Sequence, residues 1–335
     1  MLRIWFNHWF RTAYSLIELM KNGYDEQVCI IGSHSAENSP IRLMCDEWYA
    51  EEYLDEKEYV DFCLDFCKAH NIDIFVPHRH MTAIAANSSR FESIGVKLFS
   101  DSFDKLSLFE NKAKAYNELS KLASVNIPCF KTVTNADDFK AAFKELSGEY
   151  PDLCVKFVKD EGAQSFRHIK PKTNAFDSLR KYPGLSITYD ELYSALATVE
   201  SFDELMVMPY MDSVEVSVDC LQTDNGIIAL PRSKGAFHIE ELLFDSDIIT
   251  MAEKIVTYAE LQYPCDIQFR YLNGKPQLLE VNARMSGGLP MSCAAADINI
   301  PALALSKLTG KGCPMPSYEH KNKLFSNVEI PIIIA

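Results

Sequence analysis

Over the first hundred residues, short apolar runs alternate with amphipathic stretches. Residues 2–6 and 27–31 read as strands, the second ending at Gly32-Ser33. Residues 12–21 read as a helix. Residues 57–70 carry Val60, Phe62, Cys63, Phe66 and Cys67 at helical spacing, and 72–76 is a buried strand stopped by Pro77. Residues 81–94 are again helical. This β-α-β-α rhythm predicts a parallel sheet with helices on both faces.

The texture changes from residue 101. Residues 105–122 are predicted helical and carry Lys112. A strand-like run opens at Ile127-Pro128 and continues to Val133. Residues 136–146 form a helix with Thr134 and Asn135 as candidate caps. Residues 154–158 and 166–169 read as strands around a turn at 160–162. Further strands are predicted at 204–208, 215–221, 227–231, 264–271 and 277–281. Short turns at Asp224-Asn225-Gly226 and Asn273-Gly274 mark antiparallel pairing. Residues 302–308 are a last helix. Residues 171–183 are the most irregular stretch and read as a mobile loop.

The hairpin around Asn273-Gly274 concentrates the chemistry. Glu280, Asn282 and Arg284 alternate onto one face of its second strand if that strand stays extended, and Gln268 lies on the partner strand. Oxygen donors beside an arginine suit a hard cation next to a phosphate. Magnesium takes such sparse protein ligation and completes its shell from phosphates and water. Arg284 can fork onto phosphate oxygens. E-x-N-x-R by itself is equally compatible with a solvated hairpin face.

The run Glu280-Val281-Asn282-Ala283-Arg284-Met285-Ser286-Gly287-Gly288 resembles the signature of the ATP-grasp superfamily, in its carbamoyl-phosphate-synthetase-like, carboxylate-amine ligase branch. Upstream, Asn111-Lys112 resembles the opening of the nucleotide region, and Val155-Lys156 its second lysine. Met208-Pro209-Tyr210-Met211, followed by Glu215-Val216-Ser217-Val218-Asp219, resembles the adenine hinge and the strand after it. Four pieces in order between Lys112 and Gly288 are far more specific than any one.

The resemblance implies an α/β fold: a Rossmann-like N-terminal domain over 1–100, then a two-subdomain α+β ATP-grasp fold over 101–310. Its lysine and phosphate-loop subdomain would cover 112–205 and its magnesium subdomain 206–310, with 311–335 as an extension. It implies ATP with Mg2+, or Mn2+, as cofactors and a small carboxylate and an amine as substrates. Lys112 and Lys156 would meet phosphates, Pro209 would offer its carbonyl and Met211 its amide to adenine, and Glu215 would accept from the ribose. Gln268, Glu280 and Asn282 would ligate the metal, and Ser286, Gly287 and Gly288 would meet the substrate. One departure stands out: the loop Lys159–Arg167 holds one glycine, Gly162, beside Asp160 and Glu161, where the family usually has several. Arg167 is the loop's remaining candidate for phosphate.

Other residues are less marked. His78 and His80 flank Arg79 beyond a predicted parallel strand, where such sheets bind ligands; substrate contact at His78 and an exposed loop are both compatible. Arg232 and Lys234 follow the strand at 227–231 and would meet phosphate, a substrate carboxylate or solvent. Trp5, Trp9 and Phe10 read as core or interface residues.

The chain has 335 residues, 47% hydrophobic, enough for two or three domains. Its net charge of -14 argues against nucleic acid or an anionic membrane as main partner. Ten cysteines are scattered without a C-x-x-C pair, mostly in apolar runs such as Ile127-Pro128-Cys129-Phe130. They predict buried thiols in a reducing compartment. With no long apolar run and no signal-like N-terminus, a cytoplasmic location is expected. A homodimer is compatible with the sequence. Two other activities remain open: a phosphotransferase on the same fold, and a catalytically weak ATP-binding module.

Overall fold

The computed structural model describes residues 1–160, 162, 164–171, 184–235, 239–328 and 331–333. β1 (Leu2–Asn7), β2 (Val28–His34), β3 (Glu47–Ala50), β4 (Ile74–Val76) and β5 (Lys97–Leu98) form an all-parallel sheet in the order β3-β2-β1-β4-β5. Successive side chains on a strand face opposite ways. Ile4 and Phe6 therefore join the core built on the helix Ala13–Gly23, while Trp5 joins the one built on the helix Glu56–Ala69. Trp5 stacks on Phe66 at 4.2 Å and on Phe75 at 4.1 Å. A strand covered on both faces reads as a continuous apolar run, which is why β1 and β2 were visible in the sequence.

Contacts divide the chain into two compact units. One comprises Met1–Phe109, Val214–Phe269 and Val281–Ala335; the other comprises Glu110–Ser213 and Arg270–Glu280. In the second unit β6 (Lys131–Val133), β7 (Leu153–Phe157), β8 (Arg167–Lys170), β9 (Ser186–Thr188) and β10 (Leu205–Pro209) form a sheet in the order β6-β10-β7-β8-β9. The helix Ala136–Leu146 starts where expected, because the Asn135 side chain accepts from the Asp138 amide. It buries Phe139, Ala142 and Leu146 against Val155 and Val207.

The first unit also holds β11 (Val216–Gln222), β12 (Ile227–Lys234), β13 (Ile239–Leu242) and, through Phe269, β14 (Cys265–Leu272), with antiparallel pairing throughout. β15 (Lys275–Asn282) and β16 (Lys323–Ser326) complete the order β15-β14-β11-β12-β13-β16. The β14-β15 hairpin turns at Asn273 and Gly274, with φ of 52° and 76°. Positive φ at both central residues is what a tight hairpin turn demands, and glycine meets it without a steric cost.

Several expectations need correction. The helix predicted over 105–122 is two, Phe103–Glu110 and Lys112–Leu119. They break at Asn111, whose side chain caps the second by accepting from the Lys114 amide. The stretch 81–94 likewise divides at Asn87. β12 continues to Lys234, so Arg232 and Lys234 lie in the strand instead of after it. Cys129 is exposed despite its apolar neighbours. The helices Tyr189–Leu196 and Ser246–Tyr258 were not anticipated. The loop read over 171–183 lies almost entirely outside the described residues. No single described helix is long and apolar enough to cross a membrane.

Candidate functional site

In the second unit, Lys112 opens a helix behind the Asn111 cap, and Lys156 is the fourth residue of β7. Both are buried. The Lys112 ammonium donates to the Asp160 carbonyl at 2.6 Å and lies 3.5 Å from the Glu280 carboxylate. The Lys156 ammonium donates to the Leu279 carbonyl at 3.1 Å and stands 5.7 Å over the Tyr116 ring. Tyr116 donates to the Leu278 and Leu279 carbonyls, fixing the strand that carries Glu280. Burial first, then the nearby Glu280 charge, holds its phenol protonated. Buried ammonium groups beside a carboxylate and carbonyls form a cationic wall suited to phosphates.

The predicted hinge starts with the last two residues of β10, Met208 and Pro209. The Cys154 thiol, pushed up to about 12 by burial, faces the Pro209 carbonyl at 3.6 Å. Arg270 donates to the Met211 and Ser213 carbonyls, both at 3.1 Å, and so shapes the turn. In the glycine-poor loop, Asp160 accepts from the Ser165 amide at 2.9 Å and hydroxyl at 2.6 Å. Arg167 donates to the Gln164 and Phe166 carbonyls. It thus secures its own loop. Gly162 has φ of 64°, the left-handed conformation that glycine allows; Glu161 and Ala163 lie outside the described residues.

In the first unit the β14 face is organised by a buried carboxylate. Asp266 accepts from Gln268 Nε2 at 2.7 Å and from Asn282 Nδ2 at 3.4 Å, all through Oδ2. With their NH2 groups drawn to Asp266, the carboxamide oxygens of Gln268 and Asn282 point away from it, as ligands for a hard cation require. Two such oxygens are donors of the kind magnesium takes; Glu280 precedes Asn282 by two residues on β15. Asp219 lies opposite Asp266 in the ladder. Burial, then the Asp219 charge, pushes Asp266 up to about 6.

Asp219 in turn accepts from the Ser286 hydroxyl at 2.7 Å and the Ser292 hydroxyl at 2.6 Å. Arg232 is 3% exposed; it pairs with Glu240 at 2.7 Å, donates to Ser292 at 3.3 Å and lies 3.9 Å from Asp219. This overturns the solvated reading of Arg232. A Cβ on Gly288 would fall inside the Arg232 guanidinium. Glycine is thus needed there for packing, and the Gly288 amide donates inward to Ser286 at 3.2 Å. Lys234 pairs with Glu215, the residue assigned to ribose.

Arg284 stands 5.9 Å from the Phe10 ring centroid. A Cβ on Gly287 would lie 3.1 Å from the Thr12 hydroxyl and 3.6 Å from the Phe10 ring. His78 packs on Trp9 at 4.9 Å and Phe10 at 5.2 Å. Burial, then Arg284, His8 and His34, pushes its imidazole down to about 3. Between about pH 6.5 and about pH 3 the unfolded chain therefore binds a proton at this residue that the folded chain does not. Folding stability falls as pH drops through that window. His78→Gln is expected to lose less stability than the wild type between about pH 7 and about pH 4, read from urea midpoints. An equal loss in both proteins would remove His78 as the cause.

Sequence reasoning passed over Asp219 and Asp266. Both lay inside quoted motifs, at period two from Ser217 and Gln268. Nothing local said that two acids would be buried face to face.

A family model described as "ATP-grasp in the biosynthetic pathway with Ter operon" matches residues 201–330. The large chain of carbamoyl phosphate synthase from Clostridium acetobutylicum is 25% identical over 320 residues, 88% of this chain. This chain spans 28% of the length of that relative. Among solved structures, N5-carboxyaminoimidazole synthetase from Staphylococcus aureus, complexed with ADP, aligns with TM-score 0.69 at 15% identity. It covers 97% of this chain and 82% of its own. The biotin carboxylase domain dimer of Hydrogenobacter thermophilus 2-oxoglutarate carboxylase, with MgADP and bicarbonate, aligns with TM-score 0.65 at 15% identity. It covers 92% and 69% respectively. Residues 201–330 thus match an ATP-grasp family model, and the chain shares the mixed α/β fold of these solved structures.

Proposed function

We propose that this chain is an ATP- and magnesium-dependent ligase that converts a small carboxylate, of amino-acid or peptide type, to an acyl phosphate for attack by an amine. The observation that carries the reading is the hairpin chemistry: Gln268 and Asn282 are oriented by one buried acid, and Glu280, two residues before Asn282 in sequence, lies 3.5 Å from Lys112. Adenine binding alone requires none of these groups. In this reading 1–100 is a Rossmann-like domain that helps to bind the substrate, and 101–310 carries the nucleotide.

The roles follow from the chemistry of each group. Lys112 and Lys156 hold the phosphates, Pro209 and Met211 present backbone groups to adenine, and Glu215 accepts from the ribose once Lys234 turns to phosphate. Gln268, Glu280 and Asn282 hold magnesium, which would offset charge on the phosphates. Arg284 steadies the phosphoryl group in transfer. A carboxylate oxygen bonds to the γ-phosphorus as the bond to ADP breaks. The amine nitrogen then bonds to the acyl carbon, phosphate leaves, and the amine proton passes to solvent. Arg232 holds the Ser286-Gly287-Gly288 turn in place for the carboxylate, beside His78. A cytoplasmic location and a homodimer belong to the same reading.

A screen of small carboxylates and amines, singly and in pairs, for ADP formation tests this proposal. ADP and free phosphate released only with a pair support a ligase. A phosphorylated product without phosphate release would point to a phosphotransferase. The loop secured by Asp160 and Arg167 favours a second reading, a weak nucleotide-binding module, for which no pair would raise ADP formation. Lys112→Ala and Lys156→Ala are each expected to weaken ATP binding by about 1.5–3 kcal/mol, the worth of a charge-assisted contact. Calorimetric titration measures this, and unchanged affinity in both variants would remove the lysines from the nucleotide site.

A further inference from the structure

Away from the phosphate chemistry, the carboxyl ends of β1, β2, β3 and β4 bring together a second polar cluster. Glu51, just past β3, is fully buried and accepts from the Ser33 hydroxyl at 2.5 Å and the Tyr59 hydroxyl at 2.9 Å. His8 Nδ1 and Arg79 Nη1 each lie 3.7 Å from the same carboxylate, within ion-pair reach but beyond a hydrogen bond. Both nitrogens are buried and have no hydrogen-bond partner among the described residues. His8 stacks on His34 at 4.0 Å, and Arg79 lies 5.0 Å from each of the Tyr53 and Tyr59 rings. Asn7 holds the segment after β4, accepting from the His78 amide at 2.7 Å and donating to the Arg79 carbonyl at 3.3 Å.

Two features mark this as a built site. His8 and His80 adopt φ of 48° and 51°, a conformation costly for residues other than glycine and concentrated where ligands bind. Both nitrogens reach Glu51 only at ion-pair distance and lack a hydrogen bond among the described residues, which is costly for buried polar groups. The cluster opens to solvent, since His8 is 30% exposed and Arg79 12%. Next to it, His78 packs on the Phe10 ring, and Arg284 stands 5.9 Å from the same ring.

We infer that this strand-end cluster binds an oxyanion, with Arg79 and His8 donating to it, His34 beside them and Glu51 setting their positions. A cation is disfavoured because both Glu51 oxygens already accept hydroxyl hydrogens and the groups around it are basic. The ligand class is a molecule with an anionic group, carboxylate or phosphate, remote from the one that reacts. That this molecule is the ligase substrate rests on the proposed function; that an oxyanion binds here does not.

The test is histidine side-chain NMR on the full chain at neutral pH without nucleotide, titrated with inorganic phosphate and separately with succinate. Saturable shifts of the His8 and His34 resonances are expected with at least one, and the tighter one tells a phosphorylated substrate from a dicarboxylate. Arg79→Met is expected to weaken that binding about tenfold or more. Should Arg79→Met fail to fold, His34→Gln, at a partly exposed ring, is expected to weaken it about threefold. No saturable shift with either anion, or full affinity in the folded variant, would overturn the site. ADP formation without anion binding would leave the ligase reading standing and remove this one; anion binding without ADP formation would do the reverse.

Discussion

Glu280→Gln is expected to lower magnesium-dependent ATP turnover by about two orders of magnitude or more, because a preorganised charge at the phosphates is removed while the shape is kept. Its effect on folding should be small. The Glu280 side chain is 25% exposed, and glutamine keeps an oxygen that can accept from the buried Lys112 ammonium, so the contact is weakened without leaving that donor bare. Kinetic assays beside melting curves separate the two quantities. Wild-type turnover in the variant would end the metal assignment, and a large fall in melting temperature would recast Glu280 as a structural acid.

Gly288→Val is expected to abolish turnover and also to destabilise the first unit. The Cβ alone occupies the place of the Arg232 guanidinium, so Arg232 must leave Glu240 and Ser292. Breaking a buried ion pair typically costs about 3–5 kcal/mol. Gly288→Ala places the same Cβ and should show the same sign with a smaller loss. ATP calorimetry on folded material should still report binding, since Lys112 and Lys156 belong to the other unit. Normal melting and normal turnover in both variants would mean that Arg232 relaxes without cost and that the turn takes no part in the reaction.

Much of this was legible along the chain. Period-two and continuous apolar runs located β1, β7, β10, β11 and β14 to within a residue, while β2 runs on to His34, three residues past its expected end. The Asn111 and Asn135 caps were visible as residues, yet Asn111 was read through: helical spacing continues across it, and only its cap to the Lys114 amide shows the break. The helix Tyr189–Leu196 had its capping box, Thr188 with Glu191, in plain view. The helix Ser246–Tyr258 had Ile248, Met251, Ala252, Ile255 and Val256 at helical spacing. β3, β13 and β16 carry polar or exposed residues and owe their strand form to pairing with a neighbour, which no local pattern encodes.

By itself the sequence determined the order of the nucleotide motifs, the parallel sheet and hairpin architecture, and the alternation that puts Glu280 and Asn282 on one strand face. These are properties of neighbouring residues and of backbone geometry. Tertiary structure alone decided that Asp266 orients Gln268 and Asn282, that Arg232 is buried against Gly288, and that Glu51 meets His8 and Arg79. Each of these depends on strands distant in sequence being brought side by side. Burial there turns ordinary polar residues into paired ones, because a buried charge or donor without a partner is too costly to keep.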